Sequence, residues 1–265
     1  MGARAIYHDG WTATAKHRTP WAAEPDGPLL DDQWELYHVA KDFSQAKDVA
    51  AEHPEKLKEL QALFLKEAVK YNVLPLDDRV FERFNAAIAG RPDLMGDRKK
   101  LTLYPGMTRI MENAFINVKS RSHSITAEVE VPEGGGEGVI ICQGGKFAGW
   151  SLYMKDGKAT YVHNWFGRAL YTVTSPKALA PGKATIRYDF TYEGGKEMGK
   201  GGTSALFVNG TKVAEGKVAN TIPNIISADE TADVGADHHT PVTPDYAQHG
   251  NEFTGKIEKV TIDLK

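Results

Sequence analysis

The chain has 265 residues, 41% of them hydrophobic and 25% charged, a composition typical of a folded globular protein and not of a disordered one. Its 32 basic and 35 acidic residues give a net charge of −3, so the basic excess that marks most nucleic-acid-binding proteins is absent. No apolar run reaches the 18 residues of a membrane span, and no apolar segment of the signal-peptide type stands near the start. We therefore expect a cytoplasmic protein with neither a membrane nor a nucleic acid as its partner.

The first 78 residues predict a small antiparallel sheet with one long helix. Short segments of strand-forming residues flank Asp9 and Gly10, a dipeptide typical of hairpin turns, and another begins at Trp34. Over residues 54–71 the apolar side chains recur with helical spacing, while charged side chains occupy the other side. The sequence therefore predicts an amphipathic helix with a solvated face.

The rest of the chain has a different pattern. Residues 79–114 contain glycine and proline breaks without a sustained period, so we expect a connector there. From residue 115 to the end, short alternating segments are separated by turn dipeptides such as Asn209-Gly210. Many short strands at this spacing are typical of an antiparallel sandwich or barrel.

An acidic cluster near the end of the chain is a candidate calcium site, because calcium prefers six to eight oxygen ligands. Its carboxylates belong to Asp229, Glu230, Asp233 and Asp237. His238 and His239 follow, but adjacent side chains of a strand point to opposite faces, so the two are not expected to share a transition metal. The alternatives are a structural loop, in which Asp side chains hydrogen-bond the backbone, or a catalytic cluster.

Aromatic residues of the second half also have two interpretations. Trp150, Tyr161 and Trp165 are candidates for a groove that contacts a glycan, although in a sandwich such rings more often fill the core. A glycosidase would need paired carboxylates, and the Glu-x-Asp-x-x-Glu strand of jelly-roll laminarinases is absent. The single cysteine, Cys142, lies in an apolar strand, so we expect a buried and unreactive thiol.

Several runs along the whole chain carry a resemblance. They are, in order, RAIYHDGW at 4–11, WELY at 34–37, VLPLDDR at 73–79, YPGMTR at 104–109, NVKSRSHSITAE at 117–128, QGGKFAGWSLY at 143–153 and SADETADVG at 227–235. Together they resemble the C-terminal region of bacterial arylsulfatases, the type I sulfatases of the alkaline-phosphatase superfamily. The His238-His239 pair departs from the expected pattern, where a smaller residue or glycine precedes Thr-Pro-Val.

The resemblance implies a fold class for each part. Residues 1–78 would be the small antiparallel sheet and closing helix that complete the sulfatase catalytic unit. Residues 115–265 would be an appended jelly-roll sandwich of the concanavalin or laminin-G type. The expected fold is therefore α+β and mainly β: a small antiparallel sheet with one long helix, followed by an all-β sandwich.

The resemblance also implies a function that the chain does not perform alone. Sulfatases use a formylglycine made in a Cys/Ser-x-Pro/Ala-x-Arg motif, assisted by calcium held by Asp and Asn side chains. Neither form of the motif occurs here, and the metal ligands would lie before Met1. We therefore expect a non-catalytic fragment with a structural or interaction role. The alternatives are a subunit of a split sulfatase and a carbohydrate-binding module.

These expectations extend to partners. The sheet of residues 4–38 would normally face a larger catalytic domain, and the helix can cover only one side of it. We therefore expect Ile6, Trp11, Trp34 and Leu36 to form an exposed apolar face. Such a face predicts self-association or the capture of a separately encoded sulfatase N-terminal half.

Overall fold

A computed structural model describes residues 2–19, 21, 22, 25, 27–79, 90, 92 and 94–265. The chain divides into two compact units, Met1–Gly90 and Arg91–Lys265. Part of the predicted connector, residues 80–89, 91 and 93, lies outside the described residues. Within the described ranges, no helix combines the length and the apolar character that a membrane crossing requires.

The first unit contains a three-stranded antiparallel sheet and one helix. The elements are β1 (Arg4–His8), β2 (Trp11–Ala15), a 3₁₀ turn (Leu29–Asp31), β3 (Trp34–Tyr37) and the helix α1 (Pro54–Lys70). The strands lie in the order β1-β2-β3. Pro54 occupies the first turn of α1, where its missing N–H leaves no hydrogen bond unmade. The predicted hairpin and helix are both confirmed.

The helix α1 closes the core of this unit. Leu60 of α1 is buried against Ala13 of β2 and Leu36 of β3, and Trp11 and Trp34 pack around them. The prediction of an exposed apolar face is therefore wrong. The apolar residues of the sheet occupy paired positions on three short strands. They therefore form one narrow face, which a single helix is wide enough to cover.

A buried polar network ties the chain beyond α1 to the residues around the sheet. His17 Nδ1 lies 2.9 Å from Asp32 Oδ1, and His17 Nε2 lies 3.2 Å from Asp78 Oδ2. Arg4 Nη1 donates to Asp32 Oδ2 at 2.6 Å. Burial opposes ionisation of Asp32, but the hydrogen bonds and charges of His17 and Arg4 outweigh it and lower the pKa of this carboxyl group. His17, at the centre of the network, is only 1% exposed, so its two hydrogen bonds hold these segments of the chain together.

The second unit contains two antiparallel sheets, one of six strands and one of five. In chain order the strands are β4 (Lys100–Leu103), β5 (His123–Val131), β6 (Gly138–Gly144), β7 (Gly149–Lys155), β8 (Lys158–Trp165), β9 (Ala169–Thr174), β10 (Gly182–Tyr192), β11 (Lys200–Val208), β12 (Thr211–Asn220), β13 (Ala232–Val234) and β14 (Lys256–Leu264). The sheets have the orders β12-β11-β10-β5-β14-β4 and β13-β6-β7-β8-β9.

The boundary of this unit differs from the predicted one. The strand β4 falls inside the predicted connector, yet it pairs with β14, for example Leu103 with Val260. The six-stranded sheet therefore begins by residue 100, not at residue 115. A four-residue edge strand is too short to show a period, and its pairing partner lies near the other end of the chain.

The two sheets of the second unit pack face to face around one core. Ile125, Ile186 and Ile262 of the six-stranded sheet are buried together with Leu152 of the five-stranded sheet. This arrangement is a β-sandwich. The predicted fold class, α+β and mainly β with a small sheet and helix before an all-β sandwich, is confirmed.

The outer face of the five-stranded sheet is covered as well. Cys142, Tyr153 and Val162 point away from the main core and pack with Val242 and Tyr246, which belong to the long segment between β13 and β14. Strands buried on both faces explain the nearly unbroken apolar runs of β6 and β7. Cys142 is buried, as expected, and this burial raises the pKa of its thiol.

Candidate functional site

The acidic cluster does not form a cage for calcium. Asp233 Oδ1 accepts the backbone N–H of Arg109 at 2.6 Å, and Glu230 Oε1 accepts the hydroxyl of Thr240 at 2.6 Å. Asp229 Oδ1 accepts the hydroxyl of Ser227 at 2.9 Å. These three carboxylates therefore accept hydrogen bonds from the protein itself.

The fourth carboxylate, Asp237, lies apart beneath the covering segment. Its Oδ2 atom accepts the N–H of Val242 at 3.1 Å and the hydroxyl of Tyr246 at 2.9 Å, whereas Oδ1 is buried without a partner. Burial raises the pKa of this carboxyl group. Across the part of the chain that the structure describes, no three His, Cys, Asp or Glu side chains come together to hold a metal. The observed contacts are those of the structural-loop alternative.

The three predicted glycan contacts fall in two different places. Trp150 and Tyr161 are each only 2% exposed and lie between the sheets, where Trp150 Nε1 donates to Gln143 Oε1 at 3.0 Å. Contact of these two rings with a glycan on the surface is therefore excluded, and the core-filling alternative is confirmed. Trp165 instead ends β8 at a partly exposed position.

Two exposed aromatic rings stand on the loops near the end of β8, which Asn164 links to each other. Phe166 follows Trp165 in the β8–β9 turn, is 42% exposed, and meets the Trp165 ring edge to face at 5.9 Å. Phe147 stands in the β6–β7 loop and is 75% exposed. The exposed cations Lys146 and Arg168 are the chain neighbours of Phe147 and of the Phe166 turn. We call these five residues the loop-tip surface.

One buried side chain fixes the two loops to each other. Asn164 Nδ2 donates to the carbonyl oxygens of Lys146 at 3.0 Å and Val242 at 2.9 Å. Its Oδ1 atom accepts the N–H of Gly167 at 2.8 Å. Because Asn164 satisfies groups of both loops and of the covering segment, the exposed rings are displayed on a fixed backbone.

The backbone of Phe166 is unusual for its residue type. Phe166 has φ +52° and Gly167 has φ +66°, the left-handed pair of a type I′ hairpin turn, closed by Arg168 N–H to the Trp165 carbonyl at 2.9 Å. The other hairpins with this pair carry Asp9-Gly10, Asp156-Gly157 and Asn209-Gly210. Asp and Asn tolerate this region, whereas a bulky ring is strained there. Sequence reasoning missed Phe147 and Phe166, and the signal was a phenylalanine at a position that favours Asn or Asp.

A narrow cleft between the two sheets is a second feature of this unit. Its volume, taken as the space open to the centre of a water molecule, is about 20 Å³. The rings of Tyr161 and Tyr188 stack at 3.4 Å in its wall. His123 of β5 and His163 of β8 face it from opposite sheets and are 5% and 9% exposed. Their Nε2 atoms are buried and have no hydrogen-bond partner.

Both of these histidines are neutral near pH 7. Burial lowers the pKa of His123 to about 4 despite a hydrogen bond to the Arg121 carbonyl. Burial also lowers the pKa of His163 to about 4, and the nearby His123 contributes in the same direction. The cleft is therefore bordered by two uncharged imidazoles.

The second unit is thus an antiparallel β-sandwich with a fixed aromatic surface at one group of loops and a histidine-lined cleft inside. No family model and no curated protein sequence matches the chain.

Similar solved structures include the CBM40 of the Ruminococcus gnavus IT-sialidase bound to α2,3-sialyllactose, with 16% identity, 63% of this chain and 91% of that chain covered, and a TM-score of 0.41. Domain 4 of AbnA, a GH43 arabinanase of Geobacillus stearothermophilus in complex with arabinotriose, has 13% identity, coverage of 62% and 66%, and a TM-score of 0.37. Mouse laminin α1 LG4-5 has 15% identity, coverage of 63% and 44%, and a TM-score of 0.37. Likenesses of this strength say nothing about a ligand of this chain.

Proposed function

We propose that the second unit is a carbohydrate-binding module and that the loop-tip surface contacts the sugar. The observation that carries this proposal is Phe166, an exposed ring held in a left-handed backbone conformation. Folding alone would favour Asn or Asp at this position, as in the other three turns. Backbone strain that the fold does not need is concentrated at functional sites, where the side chain itself is required.

The chemistry of the loop-tip surface suits a sugar. Phe147, Trp165 and Phe166 offer flat apolar faces to the C–H groups of a sugar ring, while Lys146 and Arg168 donate hydrogen bonds to its oxygens. Because Asn164 fixes the loops beforehand, little conformational freedom is lost when a ligand binds. The covered outer face of the five-stranded sheet, by contrast, leaves no room for a ligand there.

Calorimetric titration of the full chain with a panel of oligosaccharides, including sialyllactose and arabinotriose, tests the proposal. Phe147→Ala and Phe166→Asn should each weaken binding about tenfold or more, because a centrally placed ring contributes 1.4 kcal/mol or more to affinity. Tyr104→Ala is the matched control, since Tyr104 is an exposed aromatic residue of the same unit outside the loop-tip surface. Binding that survives both phenylalanine substitutions, or no binding to any sugar of a broad panel, contradicts the proposal.

The resemblance to the C-terminal region of arylsulfatases supports a second proposal, a non-catalytic sulfatase fragment. The order of a small antiparallel sheet, one closing helix and then a sandwich is the order that the resemblance implies. An assay with p-nitrophenyl sulfate and added calcium should give no turnover by the isolated chain. Turnover that disappears in Cys142→Ala would contradict the view that no catalytic residue is present.

A further inference from the structure

The histidine cleft contains a chemical feature that the carbohydrate proposal does not use. His123 Nδ1 lies 3.0 Å from the carbonyl oxygen of Arg121. A carbonyl can only accept a hydrogen bond, so Nδ1 carries the proton of the neutral ring and Nε2 presents a bare lone pair. That lone pair is buried at the cleft with no partner. Leaving a buried acceptor unpaired costs stability, so an occupant that accepts the lone pair is expected.

His123 shares one contact with metal-binding histidines, the hydrogen bond from Nδ1 to a backbone carbonyl. Such a histidine donates its other ring N–H to a backbone carbonyl or carboxylate, which fixes the tautomer and the orientation of the ring. His163 adds a second unpaired Nε2 from the opposite sheet. The cleft has room for one small ion or one water molecule, and not for an organic ligand of any size.

The walls of the cleft decide which ion is suitable. They are formed mainly by aromatic and aliphatic side chains, among them Trp150, Tyr161, Tyr188, Phe190, Ile222 and Ile226. Lys119 also borders the cleft, where it is paired with Glu112. Calcium and magnesium need several oxygen ligands, which this cleft does not supply. Imidazole nitrogen suits zinc and copper, and burial without an anionic ligand favours a single positive charge over a double one.

We propose that His123 and His163 form a two-histidine site for a transition-metal ion, with Cu⁺ bound more tightly than Zn²⁺. The two Nε2 atoms supply the protein ligands from facing sheets. The ion stabilises the sandwich by joining β5 to β8 and by satisfying two buried nitrogen atoms. This site is separate from the loop-tip surface and does not depend on sugar binding.

Titration of the full chain at pH 7 tests the proposal, with Zn²⁺ in one series and Cu⁺ under anaerobic reducing conditions in the other. Competition with a chromophoric chelator should show that one ion binds per chain. Thermal melting with the ion present should give a higher melting temperature than melting without it. His123→Gln and His163→Gln should each weaken binding by at least about tenfold. His249→Gln, at an exposed position of the same unit, should leave binding unchanged and is the matched control.

Nitrogen-15 NMR of the unsubstituted chain makes the test independent of how well the variants fold. One equivalent of metal should shift the Nε2 signals of His123 and His163 and leave those of the exposed histidines in place. Shifts confined to exposed histidines, or equal affinity in the His123→Gln and His249→Gln variants, would overturn the proposal. Absence of binding by both ions would also overturn it and leave a buried water as the occupant.

Discussion

The second unit uses aromatic residues in two regions with opposite environments. Trp150, Tyr161 and Tyr188 stack between the sheets and are almost fully buried. Phe147 and Phe166 stand on loops and expose much of their surface. Burial of the first group lowers the free energy of the fold, whereas the second group adds little to folding and, at Phe166, opposes it. Residue type alone therefore does not separate a buried core ring from an exposed surface ring.

The largest expected effect comes from the interior. Tyr188→Ala should destabilise the chain by about 4 kcal/mol, because it removes a ring that stacks on Tyr161 and leaves a cavity between the sheets. Denaturant unfolding monitored by tryptophan fluorescence measures the change. Phe147→Ala, the matched loop substitution, should change stability by less than about 0.5 kcal/mol. Similar values for the two variants would erase the distinction between the regions.

Asn164 connects the two regions, so its replacement should affect both. Asn164→Ala should cost about 2 kcal/mol, because the carbonyl of Val242 and the N–H of Gly167 lose their partner. Hydrogen exchange at the amides of 146–148 and 166–168 should accelerate, and sugar affinity should fall with it. A loss of stability without faster exchange in these loops would show that Asn164 does not hold them in place.

A buried carboxylate gives a pH-dependent test of the interior. The raised pKa of Asp237 means that the folded state favours the protonated carboxyl group. The stability that this protonated group contributes is therefore complete below pH 3.8 and is lost as pH rises through the raised pKa. Asp237→Asn keeps an acceptor for Val242 and Tyr246 but removes the charge. We expect Asp237→Asn to raise the free energy of unfolding by about 1 kcal/mol at pH 7, and this gain should shrink towards pH 4. A gain independent of pH would show that the charge is not its source.

The smallest expected effect on stability belongs to Phe166. Phe166→Asn should stabilise the chain by about 0.5 kcal/mol, because Asn tolerates the left-handed conformation that Phe166 adopts. The same substitution should remove sugar binding, a trade of function for stability. Thermal melting measures the expected gain in stability, and calorimetric titration measures the expected loss of sugar binding. A destabilised Phe166→Asn variant would mean that the ring serves the fold, which places it with the interior group.

The sequence was sufficient to predict most of the helices and strands, because periodicity and turn chemistry depend on a few neighbouring residues. Helical spacing predicted α1, alternation predicted strands such as β5 and β10, and the Asp-Gly and Asn-Gly dipeptides marked three hairpin turns. The strand β13 was missed, since its three residues show no period and it pairs with β6 about 90 positions away in the chain.

Which of the candidate residues lie at the surface, where a ligand has access, depends on the tertiary fold. Trp150 and Trp165 are the same residue type on neighbouring strands, yet one faces the opposite sheet and the other ends its strand at the surface. The four carboxylates are close in sequence but accept hydrogen bonds from partners up to 124 positions away, so no pattern within the cluster could predict their use. His123 and His163 border the same cleft for the same reason: long-range packing, and not local spacing, sets which side chains share a cavity.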